Sequence, residues 1–112
     1  HNAADLQTGA LGDVEITLTN DNSVITSYEM KMKRVTKLDI DHALTKITSS
    51  HQELDNYIFI TTDVILEEVA IYARTIYDQI GVEVVVLDCI SFIRHFLHLF
   101  HRLRMGFLEE YQ

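Results

Sequence analysis

Asp13, Glu29 and Lys31 lie on either side of a short polar turn, Asn20-Asp21-Asn22-Ser23, in two stretches that alternate polar and apolar residues. Alternation with a period of two marks a half-buried strand. DVEITLT (13–19) and VITSYEMKMK (24–33) are therefore expected to form an antiparallel hairpin. With the turn centred on Asp21, Asp13 falls across from Glu29, and directly opposed residues have Cβ atoms about 5 Å apart. Lys31 shares the face of Glu29, as do Glu15, Thr17 and Ser27. The other face collects Val14, Ile16, Leu18, Val24, Tyr28, Met30 and Met32 and is expected to be the core side.

Two carboxylates this close repel one another unless positive charge lies between them. A hard divalent cation such as magnesium suits them, because it takes oxygen ligands and leaves positions for water and a substrate phosphate. Such an ion polarises a phosphoryl oxygen and makes a nearby water a better nucleophile. A lysine two residues beyond the second carboxylate can hold that water and offset charge developing on phosphorus. The same residues also suit the solvated face of an ordinary hairpin, where acids and lysines are common. What favours chemistry is the conjunction of an acid at a strand start, its opposition to Glu29 across the turn, and the elements that follow.

Those elements alternate. Thr36 with Asp39 three residues later marks a helix start, and Ile40, Ala43, Leu44 and Ile47 recur on one helical face. NYIFIT (56–61) is a short apolar strand of the kind buried on both faces. Asp63 is expected to cap a second helix with Glu67 and Glu68 near its start, ending at Gly81. VEVVVL (82–87) is a further buried strand, and residues 90–108 form a long terminal helix finishing near Gly106. Residues 1–12 read as an entry segment, where His1 and Asp5 could belong to a helix bordering the site. The expectation is an α/β fold in a single domain, 1–112. Its mixed sheet has about four strands, an antiparallel hairpin beside parallel strands, flanked by helices.

Asp13, followed by a strand, a turn and Glu29-Met30-Lys31, resembles the PD-(D/E)xK nuclease superfamily, the restriction-endonuclease-like fold. The resemblance covers residues 12 to 88, and Gly12 stands where a proline often precedes the aspartate. It implies that Asp13 and Glu29 are magnesium ligands and Lys31 the catalytic lysine, with Glu15 an additional or alternative ligand. It further implies a magnesium-dependent endonuclease acting on DNA, of the restriction type, for which type II restriction enzymes are the best-known members. Cutting both strands calls for two active sites, hence a homodimer or a further chain segment that also supplies sequence recognition. The competing expectation is a non-catalytic binding or assembly domain that keeps the fold and uses its aromatic terminal helix (Phe92, Phe96, Phe100, Phe107) as an interface.

Charge and composition bound these readings. The 112 residues carry a net charge of −8, which argues at first sight against nucleic acid. Yet Lys31, Lys33, Arg34 and Lys37 sit together with no acid between them. Lys33, Arg34 and Lys37 are either a solvated loop or a phosphate clamp beside the scissile bond. His42 and Lys46 share a helix surface near the end of the hairpin. His95, His98 and His101, with Arg94 and Arg102, lie opposite the aromatic face of the last helix. Their angular spread is too wide for one zinc ion, leaving a solvated or partner-facing stripe or contact with a DNA backbone.

Cys89, the one cysteine, excludes an internal disulfide and reads as core, pointing to a reducing, cytoplasmic compartment. No stretch offers the ~20 uncharged apolar residues of a membrane span. No signal-peptide pattern opens the chain, and its start at His1 suggests a piece of something longer. No glycine-rich phosphate loop or serine nucleophile elbow is present. With no proline, the turns rely on Gly, Asn, Asp and Ser.

Overall fold

Asn20 closes the first hairpin. Its N–H donates to the Val24 carbonyl, its Oδ1 accepts from the Val24 N–H, and its carbonyl accepts from the Ser23 N–H, each at 3.0 Å. Ser23 has φ 62°, a left-handed conformation of the kind that helps a chain reverse direction between strands. In the register that results, Glu15 pairs with Glu29 and Val14 with Met30. The expected pairing, centred on Asp21 with Asp13 across from Glu29, is off by two positions on the first strand. Because the shift is even, every side chain keeps its face.

A computed structural model describes residues 4–8, 14–20, 23–50 and 53–110, with side chains from residue 14 onward except those of 99 and 103–110. The elements are β1 (Ala4–Thr8), β2 (Val14–Thr19), β3 (Ile25–Lys31), α1 (Lys37–Ser49), β4 (Asn56–Thr61), α2 (Glu67–Ile80), β5 (Glu83–Asp88) and α3 (Cys89–Glu110). They form one five-stranded sheet in the order β1-β2-β3-β4-β5. β1, β2 and β3 run antiparallel, while β3, β4 and β5 are parallel, joined through α1 and α2. This is the α/β mixed sheet expected, with one more strand. Ala4–Thr8, taken as an entry segment, pairs along the free edge of β2, so Asp5 lies on a strand rather than a helix.

Helix α1 starts as its sequence dictates. The Thr36 hydroxyl accepts from the Asp39 N–H while the Asp39 carboxylate accepts from the Thr36 N–H at 2.8 Å, a complete capping box. Helix α2 begins three residues later than expected, its N-cap at Leu66 instead of Asp63. Asp63 accepts from the Val64 N–H at 2.6 Å, and its own N–H donates to Thr61, so it closes a local turn and Leu66 becomes the N-cap. At the other end Gly81 adopts φ 73° and satisfies the Tyr77 carbonyl, as expected of a C-terminal glycine. Helix α3 runs through Gly106 rather than stopping there, since one interior glycine costs only about 1 kcal/mol against alanine. Asp88 caps it by accepting from the Ser91 N–H at 2.7 Å, which holds the Asp88 carboxyl below its ordinary pKa. Cys89 is half-buried at its first position. Among the described residues no helix is long and apolar enough to cross a membrane.

The core lies between the sheet and the α1–α2 pair. Ile40, Ala43 and Ile47 of α1 and Val69, Ala73 and Ile76 of α2 cover Tyr57 and Phe59 of β4 and Val84 of β5. That covered side carries Ser27, Glu29 and Lys31, all buried, so the expectation that the charged face is the open one is reversed. The reason is topological. The crossover from β3 to β4 must lay α1 over one side of the sheet, and its apolar stripe continues onto the odd-numbered residues of β4. Among the described residues, the apolar side of the hairpin (Ile16, Leu18, Tyr28, Met30) is met by the start of α3, through an edge contact of Phe92 with Tyr28 at 6.0 Å. It is left as a groove of about 400 Å³, with Leu18 exposed at its margin and Phe96 and Phe100 exposed farther along α3.

Candidate active site

Glu15 and Glu29 face each other across the β2–β3 ladder and meet at a third residue, Lys46 of α1. Lys46 Nζ donates to Glu15 Oε2 at 2.8 Å and to Glu29 Oε1 at 3.0 Å. The position follows from local structure: Lys46 lies in the last turn of α1, next to Ile47, whose side chain anchors the helix on the sheet. Burial works against the charged ammonium, but hydrogen bonds and attraction from both carboxylates outweigh it and raise the Lys46 pKa.

Tyr57 rises from β4 beneath this pair. It is buried and donates a short hydrogen bond from its hydroxyl to Glu29 Oε1, with a longer one to Glu15 Oε2 at 3.5 Å. Burial first, and the two carboxylates second, push its pKa far above that of an ordinary tyrosine, so it remains a neutral donor. On the outer side, Ser27 donates to Glu15 Oε1 at 3.2 Å and bonds Thr17 at 3.3 Å. Thr17, Ser27, Glu15, Lys46 and Tyr57 with Leu54 line a cleft of about 310 Å³ that opens onto the site.

Lys31, two residues along β3, is held on the inner side of Glu29. Its Nζ lies 3.3 Å from Glu29 Oε2 and 3.6 Å from Asp39 Oδ1, and only 10% of its side chain is exposed. Burial raises the Asp39 pKa, but hydrogen bonds from the Thr36 backbone and hydroxyl and the charges of Lys31 and Lys33 more than reverse this. Glu29 therefore divides its oxygens: Oε1 serves Tyr57 and Lys46, and Oε2 serves Lys31. No buried side-chain polar atom among the described residues lacks a partner.

The remaining expected residues are placed as follows. Asp13, expected to be the first metal ligand, and His1 lie outside the described residues. Glu15, expected as an additional or alternative ligand, takes the position opposite Glu29. Lys33 and Arg34 are exposed in the connection from β3 to α1, just past Lys31, and Lys37 is exposed at the first position of α1. Arg34 reaches Asp63 at 3.9 Å, and Lys37 lies 5.9 Å from the Tyr72 ring. His42 is exposed on α1. His95 is half-buried and His98 and His101 are exposed, and among the described residues no group of three or more His, Cys, Asp or Glu could hold a metal ion. Tyr57 and Lys46 were the residues the sequence underrated. Tyr57 sits in an apolar strand, where an aromatic reads as core, and only the β3–β4 register, Ser27 beside Tyr57, brings it under Glu29.

The model of the SacI restriction endonuclease C-terminal domain family matches residues 1–62 of this chain. No curated protein and no solved structure shows significant similarity to it. The match spans β1 to β4, including every residue of the Glu15–Glu29–Lys31–Lys46–Tyr57 cluster, and covers more than half of the chain. The chain belongs to that family, and is a restriction-endonuclease-related protein.

Proposed function

We propose that this member of the SacI restriction endonuclease C-terminal domain family is a magnesium-dependent endonuclease core of the PD-(D/E)xK type, hydrolysing DNA phosphodiester bonds at the β2–β3 hairpin. The observation that carries the proposal is the opposition of Glu15 and Glu29, whose oxygens share one cationic partner, with Lys31 fixed against the second oxygen of Glu29. The donor set fits magnesium. The ion takes one or two protein carboxylates and fills its other positions with water and substrate phosphate, and two carboxylates already converge on one positive centre here. Glu29 and Glu15 would hold it, with Asp13, which directly precedes Val14 in the sequence, as the further ligand the family resemblance implies.

Magnesium bound there would supply Lewis-acid polarisation of the scissile phosphate and a more acidic water. The chain supplies the rest. Lys31, held by Glu29 and Asp39, would position the attacking water and offset charge developing on phosphorus. Tyr57 fixes the rotamer of Glu29 from below. On this reading Lys33, Arg34 and Lys37, exposed beyond the end of β3, would contact phosphates without reading bases. Double-strand cutting then requires a second copy or a further segment that also supplies recognition.

The test is nicking of supercoiled plasmid by the protein with magnesium or with EDTA, alongside Lys31→Ala and Glu29→Ala. Magnesium-dependent nicking that falls at least 100-fold in both variants supports the proposal. Equal nicking by all three proteins contradicts it.

A second reading, a nuclease-fold assembly domain, rests on Ile93, Phe96, Leu97 and Phe100 of α3, all exposed. Apolar exposure of this kind marks interaction surfaces. On that reading Phe96→Ser with Phe100→Ser changes the oligomeric state, while Lys31→Ala has no functional effect.

A further inference from the structure

Two lysines touch Glu29, and they are held differently. Lys31 has a side chain only 10% exposed and is clamped between Glu29 and Asp39. Lys46 has a side chain 50% exposed on the rim of the cleft; its ammonium bonds Glu15 and Glu29 and lies 5.5 Å from the centre of the Tyr57 ring. A lysine ammonium is a compact charge on a flexible stem, so the Lys46 head can leave this position for solvent without disturbing α1.

Its position is also the one a divalent ion would need. Two opposed carboxylates attract a cation to the point between them, and that point holds Lys46 Nζ, 2.8 Å from one and 3.0 Å from the other. An ion bound to the same oxygens at the ~2.1 Å that magnesium requires leaves no room there for an ammonium, and the two charges would repel. We propose that Lys46 is a resident counter-ion for the metal site, its ammonium standing in the divalent-ion position between Glu15 and Glu29 and leaving toward the cleft when the ion enters. This rests on the reading that Glu15 and Glu29 are the magnesium-holding carboxylates. Lys46 is then a positioning residue with two effects. It keeps the carboxylates apart from mutual repulsion in the metal-free protein, and it weakens metal affinity by competition.

The experiment is manganese binding to the full chain by calorimetry, comparing the wild type with Lys46→Met, Lys46→Arg and Glu29→Gln. Lys46→Met is expected to bind manganese at least tenfold more tightly, because the competitor is gone and the stem volume is kept. Lys46→Arg, which restores the charge, is expected to bind no more tightly than wild type, and Glu29→Gln to bind weakly. Equal or weaker binding by Lys46→Met, with the wild type binding, overturns the counter-ion role and leaves the magnesium reading standing. No binding by either protein, with both folded, overturns both. A second measurement needs no variant: acylation of Lys46 in wild-type protein, followed by mass spectrometry, is expected to speed up at least threefold on adding magnesium. Unchanged or slower acylation, while manganese binds, counts against displacement.

Discussion

Glu15 and Glu29 stand directly opposite one another in the β2–β3 ladder, and both carboxylates bond the same ammonium, that of Lys46 on α1. The pairing puts like charges on neighbouring strands, which is unfavourable unless compensated. Compensation comes from three elements at once: Lys46 from α1, Tyr57 from β4, and Lys31 from β3 itself.

Glu29 is the residue these contacts share, so its removal is expected to be costly for stability as well as for function. Glu29→Ala leaves Lys31 buried with Asp39 and strips the Tyr57 hydroxyl of its short hydrogen bond. Breaking a buried ion pair by deleting one partner costs roughly 3–5 kcal/mol. Glu29→Gln, which still accepts from Tyr57, is expected to lose less. Urea unfolding of the three proteins checks the order, and a Glu29→Ala variant as stable as wild type would show the cluster to be energetically slack.

Asp39 gives the acid side of the stability profile. Its carboxyl is held below the ordinary 3.8 in the folded protein, burial being outweighed by the Thr36 bonds and by Lys31 and Lys33. A depressed folded pKa contributes stability that is present above 3.8 and lost as pH falls through the folded value. Asp39→Asn is therefore expected to be less stable than wild type at neutral pH, with the difference narrowing below 3.8. A difference independent of pH would assign the effect to capping geometry instead of charge.

Two backbone positions test the turns. Ser23 occupies the left-handed region at φ 62°, which costs a residue with a Cβ roughly 1–2 kcal/mol. Ser23→Gly relieves that strain at an entropic cost of roughly 0.5–1 kcal/mol and is expected to stabilise slightly. Gly81→Ala should do the reverse by about 1 kcal/mol. A Cβ there would meet no atom within 4 Å, so backbone strain is its whole cost. Thermal unfolding of both variants reads the two signs, and the same sign in both would be the contrary result.

Phe92 and Phe96 are four residues apart on α3 and are expected to differ. Phe92 is half-buried against Tyr28, whereas Phe96 is 58% exposed. Phe92→Ala should cost about 2 kcal/mol, short of the 3–5 typical of a fully buried phenylalanine, and Phe96→Ala well under 1. Matching losses in chemical denaturation would mean that α3 packs more extensively than its contacts indicate.

Much of this fold is legible in the residues. The apolar positions of α1, the Thr36–Asp39 box, NYIFIT as a strand and Gly81 as a helix stop all act locally, where pattern and structure obey the same rule. The site was legible in its face and not in its register or its surroundings. Alternation puts Glu15, Thr17, Ser27, Glu29 and Lys31 on one face, but the register goes with the left-handed Ser23, which a turn cluster of four polar residues does not single out. Burial of the charged face depended on which side the β3–β4 crossover lays α1. β1 is not legible because ADLQT has a weak strand pattern, and its pairing is with the edge of β2.

The most direct test of the central claim is a crystal of the protein soaked in manganese, with anomalous diffraction recorded at an energy where manganese scatters strongly. The expected result is a peak about 2.2 Å from an oxygen of Glu29 and from one of Glu15 or Asp13, with the Lys46 ammonium displaced from its position between the carboxylates. A map with no peak at Glu29, from protein that cleaves DNA with magnesium, would contradict the assignment of this hairpin as the active site.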